Sequence, residues 1–204
     1  MTALHALALM ILLAEPPAEQ KWEIAAQEDG LTVHARERKE TGVQEMKATG
    51  IIDAPPERVW KAIRDYENYT KTMPYTEVSR VLAREDGDRV VYLYSVINAP
   101  FVDKRDYVIR LVDRSKWDGG KGYLKVTWSA ANEKAPKKPD DVVRVTINDG
   151  YWLLEPRDGG KKTFATYYVY TDPGGSVPRW IVNRANSSAV PDVFEAVKKA
   201  VAKD

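Results

Sequence analysis

The side chains that most often perform chemistry in enzymes are scarce in this sequence. There is no cysteine, which excludes thiol nucleophiles, zinc–thiolate sites and iron–sulfur clusters. The only histidines are His5 and His34. Because His34 alternates with Thr32 and Arg36 along a predicted strand, its imidazole is expected to face solvent. Metal chemistry and histidine acid–base chemistry are therefore disfavoured.

The remaining candidates for catalysis are three tyrosines and one glycine–lysine segment. Tyr94, Tyr107 and Tyr168 could protonate an enolate, but phenols have pKa values of about 10 and more often bind ligands or fill a core. The segment Gly159–Thr163 lacks the spacing of a phosphate-binding loop and occupies a predicted hairpin turn. The sequence contains no Gly-x-Ser-x-Gly motif. An enzyme is therefore the less favoured class, and no catalytic or metal-binding residue is predicted.

Composition predicts one globular domain with no attraction for nucleic acid. The chain has 204 residues and a formal charge of +1, from 31 Lys and Arg against 30 Asp and Glu. So balanced a charge provides no field that would gather nucleic acid, and we expect no such partner. Hydrophobic residues make up 44% of the chain. A chain of this length can bury a sizeable core without disulfides.

An apolar segment at residues 3–14 precedes this domain, which we place at residues 21–204. Twelve residues are too few to span about 30 Å of hydrocarbon, but they match the apolar region of a secretory signal ending at Ala14. No Lys or Arg precedes the segment, so an N-terminal helix or a mis-assigned start codon are the alternatives. Cleavage predicts a periplasmic or secreted protein, and retention of the segment predicts a cytoplasmic one.

From residue 21 onward most segments alternate between apolar and polar residues and are separated by Asp-Gly turns. This pattern predicts successive β-hairpins and hence an antiparallel sheet. The segment Asn132–Asp141 is expected to be a long exposed hairpin loop. Nine strands are predicted, over Trp22–Ala26, Leu31–Arg36, Gln44–Ile52, Val78–Arg84, Arg89–Ile97, Arg105–Asp113, Gly122–Ala130, Asp141–Leu154 and Lys162–Thr171.

Two helices interrupt the strands. The first is expected to begin with Asp53 as its capping residue, followed by Pro55 and Pro56, and to end near Tyr66. The second is predicted over residues 177–202, with a break or kink near Pro191. Its 26 residues would extend about 39 Å, long enough to cross a sheet. These elements predict an α+β fold in which a curled antiparallel sheet wraps around the terminal helix.

The sheet face that meets this helix is expected to be apolar and aromatic. In three strands the alternation assigns the inward residues, which are Tyr107, Ile109 and Leu111, then Leu124, Val126 and Trp128, then Val143, Val145 and Ile147. The strands at residues 89–97 and 162–171 have two apolar faces and stay ambiguous. A filled core and a ligand cavity produce the same pattern, so alternation cannot separate them.

Six motifs in order resemble the START (steroidogenic-acute-regulatory-related lipid transfer) superfamily, in a compact, bacterial-type form, over about residues 22–201. They are Trp22 with Asp29-Gly30-Leu31-Thr32-Val33-His34-Ala35-Arg36, the segment Ile51–Ile63, Asp65-Tyr66-Glu67-Asn68-Tyr69, Pro100-Phe101-Val102-Asp103-Lys104-Arg105-Asp106-Tyr107, Gly150-Tyr151-Trp152-Leu153-Leu154-Glu155-Pro156, and Asp172–Asn183.

The resemblance implies a helix-grip fold, with a curved nine-stranded antiparallel sheet around a long C-terminal helix and a shorter helix after the third strand. It also implies a monomeric carrier that binds one lipid, sterol or other apolar molecule without metal or coenzyme, and touches membranes transiently. We expect the cavity to be lined by Met73, Tyr92, Tyr94, Tyr107, Ile109, Leu111, Leu124, Val126, Trp128, Val145, Ile147, Tyr168, Ile181 and Asn183. The gate is expected in the loop Asn98–Lys104, through Asn98, Pro100, Phe101 and Val102.

The resemblance does not extend to steroid specificity. Steroid-handling members are similar to one another in placing a basic residue six positions after the motif arginine, where this chain has Leu111. Arg105 and Asp106 are expected to fix the gate loop through an ion pair or backbone hydrogen bonds. Two alternatives stay open: a cyclase or aromatase acting on an apolar substrate, and a protein-binding module like the Hsp90-activating domains.

Overall fold

The computed structural model describes residues 21–100, 102–175 and 177–202, without the side chains of Arg179 and Asn186. The apolar segment at residues 3–14 and Phe101 of the predicted gate loop lie outside the described residues. The assignment of that segment as a secretory signal stays a prediction. Among the helices within those ranges, none is both long enough and apolar enough to cross a membrane.

Eleven strands are present in the described chain. Nine of them correspond to the nine predicted strands, and β7 and β9 are additional segments of three residues. The strands are β1 Glu23–Glu28, β2 Leu31–Glu37, β3 Gln44–Ile52, β4 Thr76–Glu85, β5 Val90–Ile97, β6 Lys104–Asp113, β7 Lys116–Asp118, β8 Lys121–Ala130, β9 Val142–Arg144, β10 Ile147–Arg157 and β11 Lys162–Asp172.

The nine longer strands form one continuous antiparallel sheet in the order β1-β2-β3-β11-β10-β8-β6-β5-β4. The chain does not continue from β3 to a neighbouring strand. It crosses through the helices to the opposite edge at β4 and returns strand by strand until β11 pairs with β3. The predicted nine-stranded antiparallel sheet is therefore confirmed, and its order contains one long crossover.

The segment predicted as a single strand over Asp141–Leu154 is divided in two. β9 pairs with β6 in parallel, and β10 begins three residues after it and pairs with β8 and β11. The break at Val145 and Thr146 reverses which residues face inward, because faces alternate residue by residue only along an unbroken strand. The inward assignment of Ile147 was therefore wrong, and Asn148 faces inward instead.

Three helices accompany the sheet: α1 Pro56–Ile63, α2 Tyr69–Thr72 and α3 Arg179–Ala202. The capping residue of α1 is Pro55, and no side chain caps the helix, so the predicted capping role of Asp53 was wrong. α3 continues through Pro191 and is not broken there. The long terminal helix and the shorter helix after the third strand agree with the predicted helix-grip fold.

The core lies between α3 and the inner face of the sheet. Val190, Phe194, Val197 and Val201 are buried along one side of α3 at helical spacing. The Phe194 ring lies 5.7 Å from that of Trp152. At the far end of α3, the Arg58 guanidinium donates to the carbonyl of Val201, which satisfies one of the free carbonyls of the last turn.

A second apolar cluster lies on the outer face of β4, β5 and β6. It contains Tyr92 and Tyr94, which are both buried. The segment Asn132–Asp141, predicted as an exposed hairpin loop, folds over this cluster with the Lys134 ammonium 5.1 Å from the centre of the Tyr92 ring. Asn132 fixes the segment by accepting from the Val108 N–H and donating to the Val145 carbonyl. The outer face of these strands is therefore a covered surface.

Candidate functional site

A cavity of about 250 Å³ lies between the inner face of the sheet, the middle of α3 and the turn from α2 to β4. The described residues that line it carry no formal charge, and most are aliphatic or aromatic. They are Ile63, Tyr69, Met73, Pro74, Tyr75, Thr76, Leu93, Ser95, Ile97, Tyr107, Ile109, Leu111, Val126, Trp128, Asn148, Trp152, Tyr167, Val169, Thr171, Ala189, Val190 and Val193.

Aromatic rings form one wall of this cavity. The Tyr167 ring stacks between Trp128 and Trp152, with ring centres 6.0 and 4.5 Å away. Trp128 lies flat because its partner across the strands is Gly150, which has no side chain to displace it. Such a wall offers a large apolar contact area to a ligand without charge.

One hydrogen-bonded cluster interrupts the apolar lining. The Asn148 Oδ1 atom accepts from Trp128 Nε1 at 3.1 Å and from the Thr171 hydroxyl at 3.3 Å. The Tyr107 phenol shares hydrogen bonds with Ser95 and Asn148. Because polar groups are costly to bury unpaired, this cluster is the one place where the wall can hold the polar end of a ligand at low cost.

The phenols of the cavity are neutral at ordinary pH. Burial raises the pKa of Tyr107, although its hydrogen bonds with Ser95 and Asn148 act in the opposite direction. Burial also raises the pKa of Tyr69 and of Tyr167. Tyr69 donates its hydroxyl proton to the Ile63 carbonyl at 2.5 Å. These groups therefore act as hydrogen-bonding partners, since an effective general acid has a pKa near the working pH.

Comparison with known proteins identifies the family. The sequence model described as "Polyketide cyclase / dehydrase and lipid transport" matches residues 52–198. The chain belongs to this family. It is 26% identical over 188 residues to the bovine phosphatidylcholine transfer protein, a match that covers 88% of this chain and 83% of the relative. The resemblance to START proteins predicted from the motif order is confirmed.

Solved structures of START proteins share the architecture. A STAR-related lipid transfer protein fragment from Xanthomonas axonopodis aligns with a TM-score of 0.78 at 25% identity, covering 89% of this chain and 98% of that one. The Zhui aromatase/cyclase from Streptomyces sp. R1128 aligns with a TM-score of 0.52 at 17% identity, covering 77% of this chain and 90% of that one. At that identity the second likeness shows the fold alone.

Six of the fourteen residues predicted to line the START cavity surround the observed one. They come from the α2–β4 turn and from the two strands whose faces the alternation assigned without ambiguity. They are Met73, Tyr107, Ile109, Leu111, Val126 and Trp128. Leu124 is buried in the same core, but it lies beyond the cavity.

The other seven predicted residues lie elsewhere. Tyr92 and Tyr94 belong to the outer cluster. Both faces of β5 are buried, so the alternation of residue types could not show which face is the inner one. Val145 is buried in the break between β9 and β10, outside the cavity lining. Ile147 and Tyr168 pack near Val43 and Tyr170. Asn183 accepts a hydrogen bond from the Gln44 N–H, and Ile181, in the first turn of α3, is not part of the cavity lining.

Sequence reasoning missed the polar half of the site. Asn148 was hidden by the break before β10, and Ser95 by the two-faced character of β5. Tyr167 and Val169 lie on the inward face of β11, while Tyr168 points to the outer face, where it donates to Glu45. The one available signal was Asn148 itself, a polar residue at the start of an otherwise apolar strand.

The mouth of the cavity is held by polar contacts between the predicted gate loop and β4. The backbone N–H of Asn98 donates to the Tyr75 carbonyl at 2.8 Å. The Glu77 carboxylate binds both ends of the loop, accepting from Asn98 Nδ2 at 3.0 Å and from Lys104 Nζ at 2.7 Å. On the α3 side, the Tyr75 hydroxyl donates to Asp192 at 3.0 Å. Pro100 is exposed and Val102 half-buried.

Of the two predicted ways for Arg105 and Asp106 to fix the gate loop, an ion pair or backbone hydrogen bonds, Arg105 uses a backbone hydrogen bond and Asp106 pairs with a different arginine. The Asp106 carboxylate is fully buried and binds Arg144 through both oxygens, at 3.0 and 2.6 Å. It also accepts from the Tyr94 hydroxyl at 3.2 Å. Arg105 donates instead to the backbone carbonyl of Asp103, within the gate loop. The arginine therefore contacts the loop as expected, while the aspartate fixes β9 and the outer face.

Proposed function

We propose that this protein binds one lipid or lipid-like apolar molecule between its inner sheet face and α3 and transfers it between membranes. The observation that carries the proposal is the uncharged cavity with a single neutral polar cluster at Ser95, Tyr107 and Asn148. Hydrocarbon burial there supplies affinity at about 25 cal/mol per Å², and the cluster orients the ligand's polar end. The lipid-transfer names of its relatives support the same reading.

The size of the cavity favours a compact ligand. About 250 Å³ lies just below the range of about 300 to 1,000 Å³ that is usual for sites of drug-sized molecules. A single-chain lipid or a compact polycyclic molecule fits with small movements of the wall. A two-chain phospholipid requires α3 to separate from the α2–β4 turn, so we expect it to bind more slowly than a single-chain lipid.

The same lining argues against catalysis. No carboxylate or imidazole is found among the described residues that line the cavity, and its phenols are buried and neutral. The exposed phenol of Tyr75 is the exception to that burial, and it is hydrogen-bonded to Asp192. A carrier needs only contact and exclusion of water, which this lining provides. We therefore propose a binding and transfer protein in preference to a cyclase. Its predicted monomeric state and the predicted absence of a nucleic-acid partner stay predictions.

Membrane contact is proposed at the end of the sheet where β6 begins and β11 ends. Pro100 and Val102 of the gate loop belong to this end, and so does the first turn of α3. In that turn Trp180 is 69% exposed. Exposed tryptophan next to apolar loop residues is suited to the boundary between lipid head groups and acyl chains.

Native mass spectrometry of the protein purified from its own host tests the proposal directly. We expect a bound species of lipid mass, and transfer of a fluorescent fatty acid or sterol between vesicles. Incubation should leave the bound molecule's mass unchanged. Protein that is always recovered free of ligand, and that takes up nothing from vesicles, would contradict the carrier function. A product of altered mass would instead support the cyclase alternative.

A further inference from the structure

Arg105 is a buried cation on β6, two residues before Tyr107 of the cavity lining. Its side chain is 5% exposed. It precedes Tyr107 by two residues on β6, so both side chains leave the strand on the inner face. Its partner across the strands is Ile97, which lines the cavity. The Cα atom of Arg105 therefore lies about one strand repeat, roughly 7 Å, from that of Tyr107.

Most of the hydrogen-bonding capacity of this guanidinium is unused. Nη1 donates to the Asp103 carbonyl. Nε and Nη2 are buried, and neither finds a hydrogen-bond partner among the residues that the structure describes. The adjacent carboxylate of Asp106 is on the opposite face and is bound by Arg144. Arg105 is thus held in place by one bond while two donors remain unsatisfied.

The unsatisfied donors have a geometry that selects one kind of partner. Nε and Nη2 present two parallel N–H bonds along one edge of the planar guanidinium, the arrangement that binds two oxygens of a carboxylate or phosphate. Buried polar groups in folded proteins almost always have partners, and an unpaired buried charge is costly. Since the described residues supply no partner for this edge, a bound oxyanion is the partner that its geometry favours.

The turn above the guanidinium places no side chain of Gly174 or Gly175 against its free edge. Gly174 and Gly175, between β11 and α3, both adopt positive φ angles of 64° and 77°, which favour glycine. A Cβ atom at Gly175 would lie 3.9 Å from Nη2 of Arg105. The nearest side chain to both glycines is Val143. Because Nε and Nη2 are buried, an oxyanion reaches this edge only when the turn moves.

We propose that the Nε–Nη2 edge of Arg105 binds an oxyanion, a phosphate or a carboxylate, carried by the polar end of the molecule in the cavity. This inference rests on the proposed binding of an apolar ligand and specifies its head group as anionic. The anionic group would lie under the glycine turn, the cluster at Tyr107 would contact the adjoining part of the polar end, and the hydrocarbon would extend along the rest of the cavity. Arg105 then acts in ligand selection as well as in fixing the loop through Asp103.

Calorimetric titration with four probes tests this assignment. The probes are dodecanol, dodecanoate, dodecyl phosphate and inorganic phosphate, and the proteins are the unaltered chain and the variants Arg105→Gln and Arg105→Lys. We expect the unaltered protein to bind dodecyl phosphate or dodecanoate at least about tenfold more tightly than dodecanol. Arg105→Gln should remove that preference, so that the three chain-bearing probes bind with similar affinity.

The outcomes separate this inference from the carrier function. Equal affinity for dodecanol and the anionic chains, or a preference that persists in Arg105→Gln, would overturn the role of Arg105 while the carrier function stands. Failure of every chain-bearing probe to bind would contradict the carrier function itself. Inorganic phosphate that binds in an Arg105-dependent way and as tightly as dodecyl phosphate would support the oxyanion site and assign it to free phosphate.

The lysine variant guards against loss of folding in Arg105→Gln. Lysine keeps the positive charge but lacks the paired N–H edge. We expect Arg105→Lys to retain the unaltered protein's melting temperature to within a few degrees and to lose most of the preference for dodecyl phosphate. A lysine variant that keeps the full preference would overturn the bidentate geometry proposed here.

Discussion

Gly150 and Trp128 lie directly opposite each other on neighbouring strands, and the indole of Trp128 covers the space that a side chain at residue 150 would occupy. A Cβ atom at Gly150 would overlap Cζ2 of Trp128 and the carbonyl oxygen of Tyr168. The glycine therefore permits the indole to lie flat as a wall of the cavity, stacked on Tyr167. Its role is to clear space, since its φ angle is not among the positive ones.

Gly150→Ala is expected to destabilise the protein and to disturb the cavity together. Overpacking a well-filled site costs about 1 to 3 kcal/mol, and the overlap with backbone places this site near the upper value. Urea unfolding measures the loss, and titration with dodecanol measures the accompanying loss of affinity. Ser129→Ala, on the exposed residue next to Trp128, is the control and should change neither quantity. A Gly150→Ala protein as stable as this control would contradict the packing argument.

Filling the cavity from α3 should abolish binding without unfolding the protein. Ala189 lines the cavity, whereas Ala185 on the same helix is exposed. Ala189→Phe places a ring in the space that we assign to ligand hydrocarbon, so we expect affinity for a fluorescent fatty acid to fall at least about tenfold at little cost in stability, because that space is unfilled. Ala185→Phe is the matched control and should bind as the unaltered protein does. Equal binding by both variants would place the ligand elsewhere.

The sequence predicts the inner face of the sheet reliably only for strands that have one apolar and one more polar face in the sequence. The Asp-Gly turns and one-sided alternation of β6 and β8 were sufficient to place Tyr107, Ile109, Leu111 and Val126 on the inner face. No local sequence pattern predicted the crossover from β3 to β4, because the order of strands in a sheet depends on which strand edges pair in the folded protein. Pairing of β11 with β3 is therefore a property of the assembled sheet.

The strand residues of the candidate site were predicted correctly only where apolar and polar residues alternate and so distinguish the inner from the outer face. Tyr92 and Tyr94 were placed inward, yet the segment at residues 132–141 covers them on the outer face, so β5 is buried on both sides. Ile147 was placed inward, and Asn148 was missed, because a two-residue break before β10 reversed the faces. Periodicity reports only which residues alternate within one strand. It contains no information about a distant segment that covers the outer face, or about a break that changes the alternation between two strands.

The hydrogen bond between Tyr75 and Asp192 is expected to slow ligand exchange. It joins the α2–β4 turn to α3 across the mouth of the cavity, and both residues are exposed. Tyr75→Phe removes the bond, so we expect vesicle-to-vesicle transfer to accelerate by about twofold to fivefold with a melting temperature nearly unchanged. Tyr123→Phe, on β8 and outside the cavity lining, is the control. An unaltered transfer rate in Tyr75→Phe would place the entrance elsewhere.

Trp180 is expected to contribute to vesicle binding. It is 69% exposed in the first turn of α3, so its removal should not disturb the core. Trp180→Ser is expected to weaken sedimentation with phosphatidylcholine vesicles by about fivefold or more, because an indole buries a large apolar area at a membrane surface. Ile24→Ser is the control, since Ile24 is 63% exposed but lies on the edge strand β1. Equal loss in both variants would indicate nonspecific hydrophobic adsorption.

The fully buried carboxylate of Glu45 links stability to pH on the outer face of the sheet. Burial alone would raise the pKa of Glu45, but hydrogen bonds from Tyr168 and Arg36 and the charge of Arg38 outweigh it, so the pKa lies below its ordinary value. The Arg36 and Arg38 contacts measure 2.5 and 3.0 Å. A carboxylate with a lowered pKa in the folded state stabilises the protein at pH values above its unfolded pKa, about 4.3.

Glu45→Gln should therefore cost stability at neutral pH and progressively less in acid. We expect the variant to lose about 1.5 to 3 kcal/mol of unfolding free energy at pH 7, the usual contribution of hydrogen bonds to a charged group, because Arg36 and Arg38 are themselves partly exposed. As the pH falls below about 4.3, Glu45 takes up a proton in the unfolded state, while the folded carboxylate with its lowered pKa takes one up only in stronger acid, so the difference narrows progressively. Urea unfolding at pH 7 and pH 3 measures both values, with the exposed Glu37→Gln as control. A difference that stays constant between the two pH values would show that the Glu45 charge contributes nothing.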